Sequence, residues 1–201
     1  MAVRRRFLIV ALVLVAGALT AGWLMLSRGF SARDEPNGVE EFIATRLRRL
    51  AIPRQARETR NPVEKTDEVM AEAMAHFADH CASCHANDGS GATPLGLGLY
   101  PPPPDMRAEG TQRLTDGELF YVIHNGIRFT GMPAFGDPDI EKDLDSWNLV
   151  HFIRHLPSIS DDELMLMKDM NPRSPRQIQM EQEMKKFLEG GAPPNPHAIH
   201  R

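Results

Sequence analysis

The pattern of apolar and polar positions divides the chain into unlike stretches. Phe7–Leu26 is an apolar run interrupted only by Thr20 and glycines. Twenty helical residues span roughly 30 Å, the thickness of a bilayer core. Residues 27–38 are polar. Val39, Phe42, Ile43, Leu47 and Leu50 then recur at helical spacing, which predicts a helix over 39–51 with Asn37 as its cap and Pro53 after its end. Val69, Ala73 and Phe77, with Met70 and Met74, predict a second helix over about 66–80. Thr115 and Gly126 bracket a short helix, and Leu144, Trp147, Val150 and Ile153 mark another over 141–156, stopped by Pro157. Two tail helices follow, 161–170 and 175–189, the latter with Ser174 before a first-turn proline. Residues 190–201 read as disordered. No stretch alternates as a strand does, so the fold class is all-α.

Composition changes this picture little; charge changes it more. The 201 residues contain two cysteines, which excludes a disulfide-rich scaffold, and a net charge of −4 gives no reason to bind nucleic acid. By segment the charge is +4 over 1–30, +2 over 31–63, −9 over 64–157 and −1 over 158–201. A basic N-terminal part thus precedes a strongly acidic domain. Arg4–Arg6 before the apolar run place residues 1–6 in the cytoplasm and residues 7–26 across the membrane, with Trp23 near the far end. The rival is a cleaved signal peptide ending near Ala16-Gly17-Ala18, but the apolar run continues past that site. The helix over 39–51 reads either as a surface helix packed on the domain or as a basic amphipathic helix on the membrane surface.

Cys81-Ala82-Ser83-Cys84-His85 carries the chemistry. Cys-x-x-Cys-His is the attachment sequence of a c-type haem. Thiols three positions apart reach the two vinyl groups on one porphyrin edge, and the histidine after them is carried beneath the iron. A dithiol redox site would need a βαβ context, and a zinc site would need two further ligands at paired spacing. The second axial ligand decides between electron transfer and an open site. Met132, in Gly131-Met132-Pro133-Ala134-Phe135-Gly136, is the candidate, held between a glycine and a proline 47 residues after His85. Met106 is the competitor. Seven other methionines sit on helical patterns and read as packing residues.

Residues 66–157 resemble a class I cytochrome c domain. The resemblance rests on CASCHANDGSG (81–91), the proline of ATPL (92–95), YPPPPDM (100–106), TDGELFYVIHNGI (115–127), GMPAF (131–135) and SWNLVHFIRHL (146–156). It implies one covalent haem c on Cys81 and Cys84, with His85 and Met132 as axial ligands. It also implies that the Pro94 carbonyl accepts the His85 Nδ1–H, and that the helix ending at Cys81 crosses the one around Trp147 and Phe152. Tyr100, Arg113 and Arg128 are candidate partners for the haem carboxylates. The expected organisation is therefore a cytoplasmic N-terminus (1–6), an anchor (7–26), a linker with a helix over 39–51 (27–63), a cytochrome domain (64–157) and a helical extension (158–201).

Covalent haem attachment implies a periplasmic domain on a single-pass inner-membrane anchor. The function implied is not catalysis but one-electron transfer in a respiratory chain, with a redox partner whose docking face is basic. The alternative is a haem subunit of a larger membrane-associated dehydrogenase or reductase. A haem sensor or peroxidase that releases Met132 is a third reading.

Overall fold

The computed structural model describes residues 2–29 and 31–190, so residues 191–201, expected to be disordered, lie outside the described part. No strand occurs among the described residues. Helix α1 (Ala2–Arg28) is a single apolar rod with no buried residue in its 25-residue span Val3–Ser27. It is long and apolar enough to cross a membrane. Helix α2 (Gly38–Ala51) begins at Asn37, whose side chain accepts the N–H groups of Val39 and Glu40 while Glu40 returns the bond to the Asn37 N–H. This reciprocal cap satisfies donors the first helical turn leaves open. Glu40 and Glu41 at its start and Arg48 and Arg49 at its end match the helix dipole.

The chain then turns onto the domain. Ile52 is only 2% exposed, and the Arg57 guanidinium holds its carbonyl at 2.8 Å. The short helix α3 (Arg54–Glu58) packs on helix α7 (Asp116–Asn125). The contact needs Gly117: a Cβ there would stand 1.8 Å from the Ala56 carbonyl oxygen. The Thr115 hydroxyl donates to the Arg57 carbonyl, Asn61 donates to the Trp147 carbonyl, and His151 bonds the Val63 carbonyl. Residues 52–63 are therefore a docked strap, a correction to their reading as linker. The reason is long-range: their partners lie 58 to 88 residues away in sequence.

The domain core is built where α4 (Asp67–His76) meets α8 (Leu144–His155), with the rings of Phe77 and Phe152 at 5.0 Å. Phe120 of α7 stacks on Trp147 at 4.1 Å and 12°. Leu149, Val150, Phe152 and Leu156 close the interior. Helix α5 (Ala82–His85) follows a π turn over Phe77–Cys81, and helix α6 (Glu109–Gln112) sits between the loops. The expected helix over 66–80 thus keeps α geometry only to His76. The expected start of α8 at 141 moves to Leu144. Asp143 caps it by accepting the Ser146 N–H, and its other carboxylate oxygen lies 2.5 Å from His124 Nδ1. Helix α9 (Asp161–Met170) completes the core with fully buried Met167, so this part of the C-terminal stretch belongs to the domain. Helix α10 (Pro175–Leu188) has the expected Ser174 cap and buries no residue.

Candidate functional site

The Cys-x-x-Cys-His segment forms one wall of a cleft of about 870 Å³, mouth included. The π turn widens the helix where it reaches Cys81, as such turns often do at functional sites. Helix α5 then carries Cys84 and His85, and the chain reverses at Ala86. The loop that follows is tied back onto this wall. The Gly91 N–H donates to the His85 carbonyl at 2.8 Å, and the Thr93 hydroxyl donates to the Ser83 carbonyl at 2.8 Å. Gly96 sits so close that a Cβ would meet the Cys84 carbonyl at 2.4 Å. Arg107 bridges Asp88 and Asp105, each at 2.8 Å, which staples the two ends of the loop together.

Another stretch of lining is the loop after α7. Gly126, at φ +65°, lets the chain leave the helix where a Cβ would collide with the Met132 carbonyl and the Pro133 backbone. The Ile127 N–H donates to the Met132 carbonyl, the Met132 N–H to the Thr130 hydroxyl, and the Phe135 N–H to the Ile123 carbonyl. Half-buried Met132 is thereby fixed with its backbone bonded at both ends. Phe77, Ile123, Ile127, Phe135, Leu149 and Ile153 supply apolar walls, and Pro101–Pro104 a rigid rim.

Burial pushes the His85 imidazole down to about 4, so it is neutral at physiological pH and offers a lone pair. Burial, and then the neighbouring Cys84, push the Cys81 thiol up to about 12. A thiol so protonated lacks the thiolate character of a dithiol redox site. No group of three or more His, Cys, Asp or Glu suited to a metal ion occurs among the described residues. The cleft fits a haem on three counts: two thiols and an imidazole on one wall, a thioether on another stretch of lining, and apolar sides between them. His85 Nδ1 is buried without a partner, an atom a filled site has to satisfy.

Of the expected site residues, Cys81, Cys84, His85 and Met132 all line this cleft. Pro94 does not; it is exposed, and its carbonyl makes no bond to the unpartnered His85 Nδ1. Thr93 and Gly96 hold the loop against the Ser83 and Cys84 carbonyls on either side of it. Met106 lines the cleft as well, buried, with its N–H on the Gly89 carbonyl at 2.8 Å. Tyr100 donates to Glu40 and Arg113 pairs with Glu109; neither they nor Arg128 line the cleft. Arg48 does, from helix α2, where the periodicity marked only a surface position. The signal available was its place in a basic cluster; the fold that brings it here is not local. The histidines at 124, 151 and 155 are each satisfied, by Asp143, the Val63 carbonyl and Glu163.

Residues 68–153 match the family described as cytochrome C oxidase, cbb3-type, subunit III. No curated protein matches the chain. The matched stretch runs from the first turn of α4 to the end of α8 and contains both the cysteine wall and the methionine loop. The chain therefore carries a haem-binding c-type cytochrome domain over residues 68–153, of the kind found in the class I c-type cytochromes.

Proposed function

We propose that the protein is a membrane-tethered carrier of single electrons, holding one haem c through Cys81 and Cys84 with His85 and Met132 as axial ligands. The observation that carries this reading is the convergence of those four side chains on one apolar cleft. A bound haem c supplies a one-electron iron couple. Cys81 and Cys84 would hold it by thioether bonds, and neutral His85 would present its lone pair. Met132 is favoured over Met106 by its backbone. Met106 is bonded to Gly89, four residues after His85, which puts it with the histidine loop. Met132 arrives on the separate loop beyond α7, from which a second ligand can come. His85 and Met132 would together occupy both protein-ligand positions of a bound haem, which favours electron transfer over substrate chemistry. By the resemblance, Pro94 is the proposed acceptor for His85 Nδ1.

Helix α1 would anchor the chain in the inner membrane with the domain on the periplasmic side, as Arg4–Arg6 and the haem chemistry suggest. The charge of −9 over 64–157 favours a redox partner with a basic docking face. In a Met132→Ala variant we expect the methionine-to-iron charge-transfer band to vanish and the reduced protein to gain carbon monoxide binding. Persistence of the band in an optical redox titration would overturn the Met132 assignment.

The family match favours a second reading, a haem subunit of a larger respiratory complex, because the family description is of an oxidase subunit. Stoichiometric companions copurifying from gently solubilised membranes would establish it. A monomeric haem protein would establish the free carrier.

A further inference from the structure

Helix α2 lies outside the stretch matched to the family, yet it reaches the haem cleft. Its Arg48 is the only lysine or arginine among the lining residues. The Arg48 Nε is buried and has no hydrogen-bond partner. A guanidinium N–H removed from water without an acceptor is costly, although the residue as a whole is only half-buried. The position is nonetheless firmly set. The Arg48 carbonyl accepts the N–H of Ile52, the buried residue by which the strap enters the domain. Near the other end of the helix, Glu40 accepts the Tyr100 hydroxyl at 2.8 Å, next to the proline rim of the cleft. The neighbouring Arg46 and Arg49 differ: Arg46 lies over the Phe42 ring and both are exposed.

A haem brings two carboxylates into a cleft that offers one arginine with an unused buried N–H. We infer that Arg48 binds a haem carboxylate, and that this charge-assisted bond seats α2 over the mouth of the cleft. A planar guanidinium suits a carboxylate, and such bonds exceed neutral ones in strength. The inference rests on the haem reading above. It makes α2 a strap latched by the cofactor, joining the region after α1 to the redox centre.

The test uses the full chain matured with haem, as wild type, Arg48→Gln, Arg48→Lys and, as control on the same helix, Arg49→Gln. Removing a cation near the iron favours the oxidised form. Arg48→Gln is expected to shift the one-electron equilibrium roughly three- to tenfold toward oxidised in an optical redox titration. It is also expected to speed amide exchange over residues 38–51. Arg48→Lys should restore much of the potential, and Arg49→Gln should match wild type in both measurements. Coincidence of Arg48→Gln with Arg49→Gln in potential and in exchange would overturn the role of Arg48 while leaving the haem reading intact. Absence of covalent haem from the wild-type chain would overturn that reading, and this inference with it.

Discussion

Helices α2 and α10 are alike as isolated objects. Each has fourteen residues, a reciprocal cap at its start (Asn37 with Glu40, Ser174 with Gln177), basic residues in its last turn, and no buried residue. Each exposes an apolar face: Val39, Phe42, Ile43, Leu47 and Leu50 on one, Ile178, Met180, Met184, Phe187 and Leu188 on the other. Their connections differ. Helix α2 runs directly into buried Ile52, gives Glu40 to Tyr100, and places Arg48 in the cleft. Around α10, the side-chain hydrogen bonds among the described residues are local: the Ser174 cap and Arg173 to Glu181. Propensity and capping make a helix, but a few long-range bonds decide whether it belongs to the machinery.

The docking that sets α2 apart from α10 is most vulnerable at Gly117. A Cβ there meets the Ala56 and Thr59 carbonyl oxygens, which are backbone and cannot swing aside. Gly117→Ala is expected to undock the strap and lower stability by about 3 kcal/mol, read as an earlier denaturant midpoint of the holoprotein. A midpoint equal to wild type would mean that the strap is not held by this contact.

A smaller effect sits at Tyr100. Tyr100→Phe removes one exposed hydrogen bond to Glu40 and is expected to show as modestly faster exchange at the N-terminal half of α2 with absorption unchanged. The same substitution releases Glu40, whose carboxyl is held below its usual range first by the Asn37 N–H and then by the Tyr100 hydroxyl.

The smallest effect is expected on the other helix. Ser174→Ala should fray α10 by about 1 kcal/mol, visible in its own amide exchange. The haem absorption and potential should stay within error of wild type. A change in the haem signals would show that α10 is coupled to the cleft and dissolve the contrast with α2.

Much of this architecture was readable from the residues because its causes are local. The caps at Asn37, Thr115 and Ser174, the stop at Gly126 and the period of α8 each need only a few neighbouring positions. The Cys81–His85 motif is local for the same reason: covalent chemistry fixes its spacing. What was not readable depends on partners far along the chain. Asp143 takes the cap of α8 while holding His124, which moves that helix start by three residues. Ile52 and the strap are recruited by α7 and α8, and Arg48 gains its meaning only once Ile52 is buried. The π turn at Phe77–Cys81 leaves no mark on apolar periodicity, since Phe77 and Ala78 are buried in either geometry. Loop composition alone does not separate Met106 from Met132; the bond of the Met106 N–H to the Gly89 carbonyl is a long-range feature of the fold.

The docked strap has one more consequence, which concerns height. Were residues 27–63 free, the domain would roam far from any anchor. With α2 latched and 52–63 packed, the slack between α1 and α2 falls to residues 29–37, nine residues with a contour of about 30 Å. If α1 is embedded as proposed, the cleft rides in a thin layer above the bilayer. Partners would then be chosen by how far their own redox centres stand from that plane, and those standing above the layer would be out of range however well their charge matched.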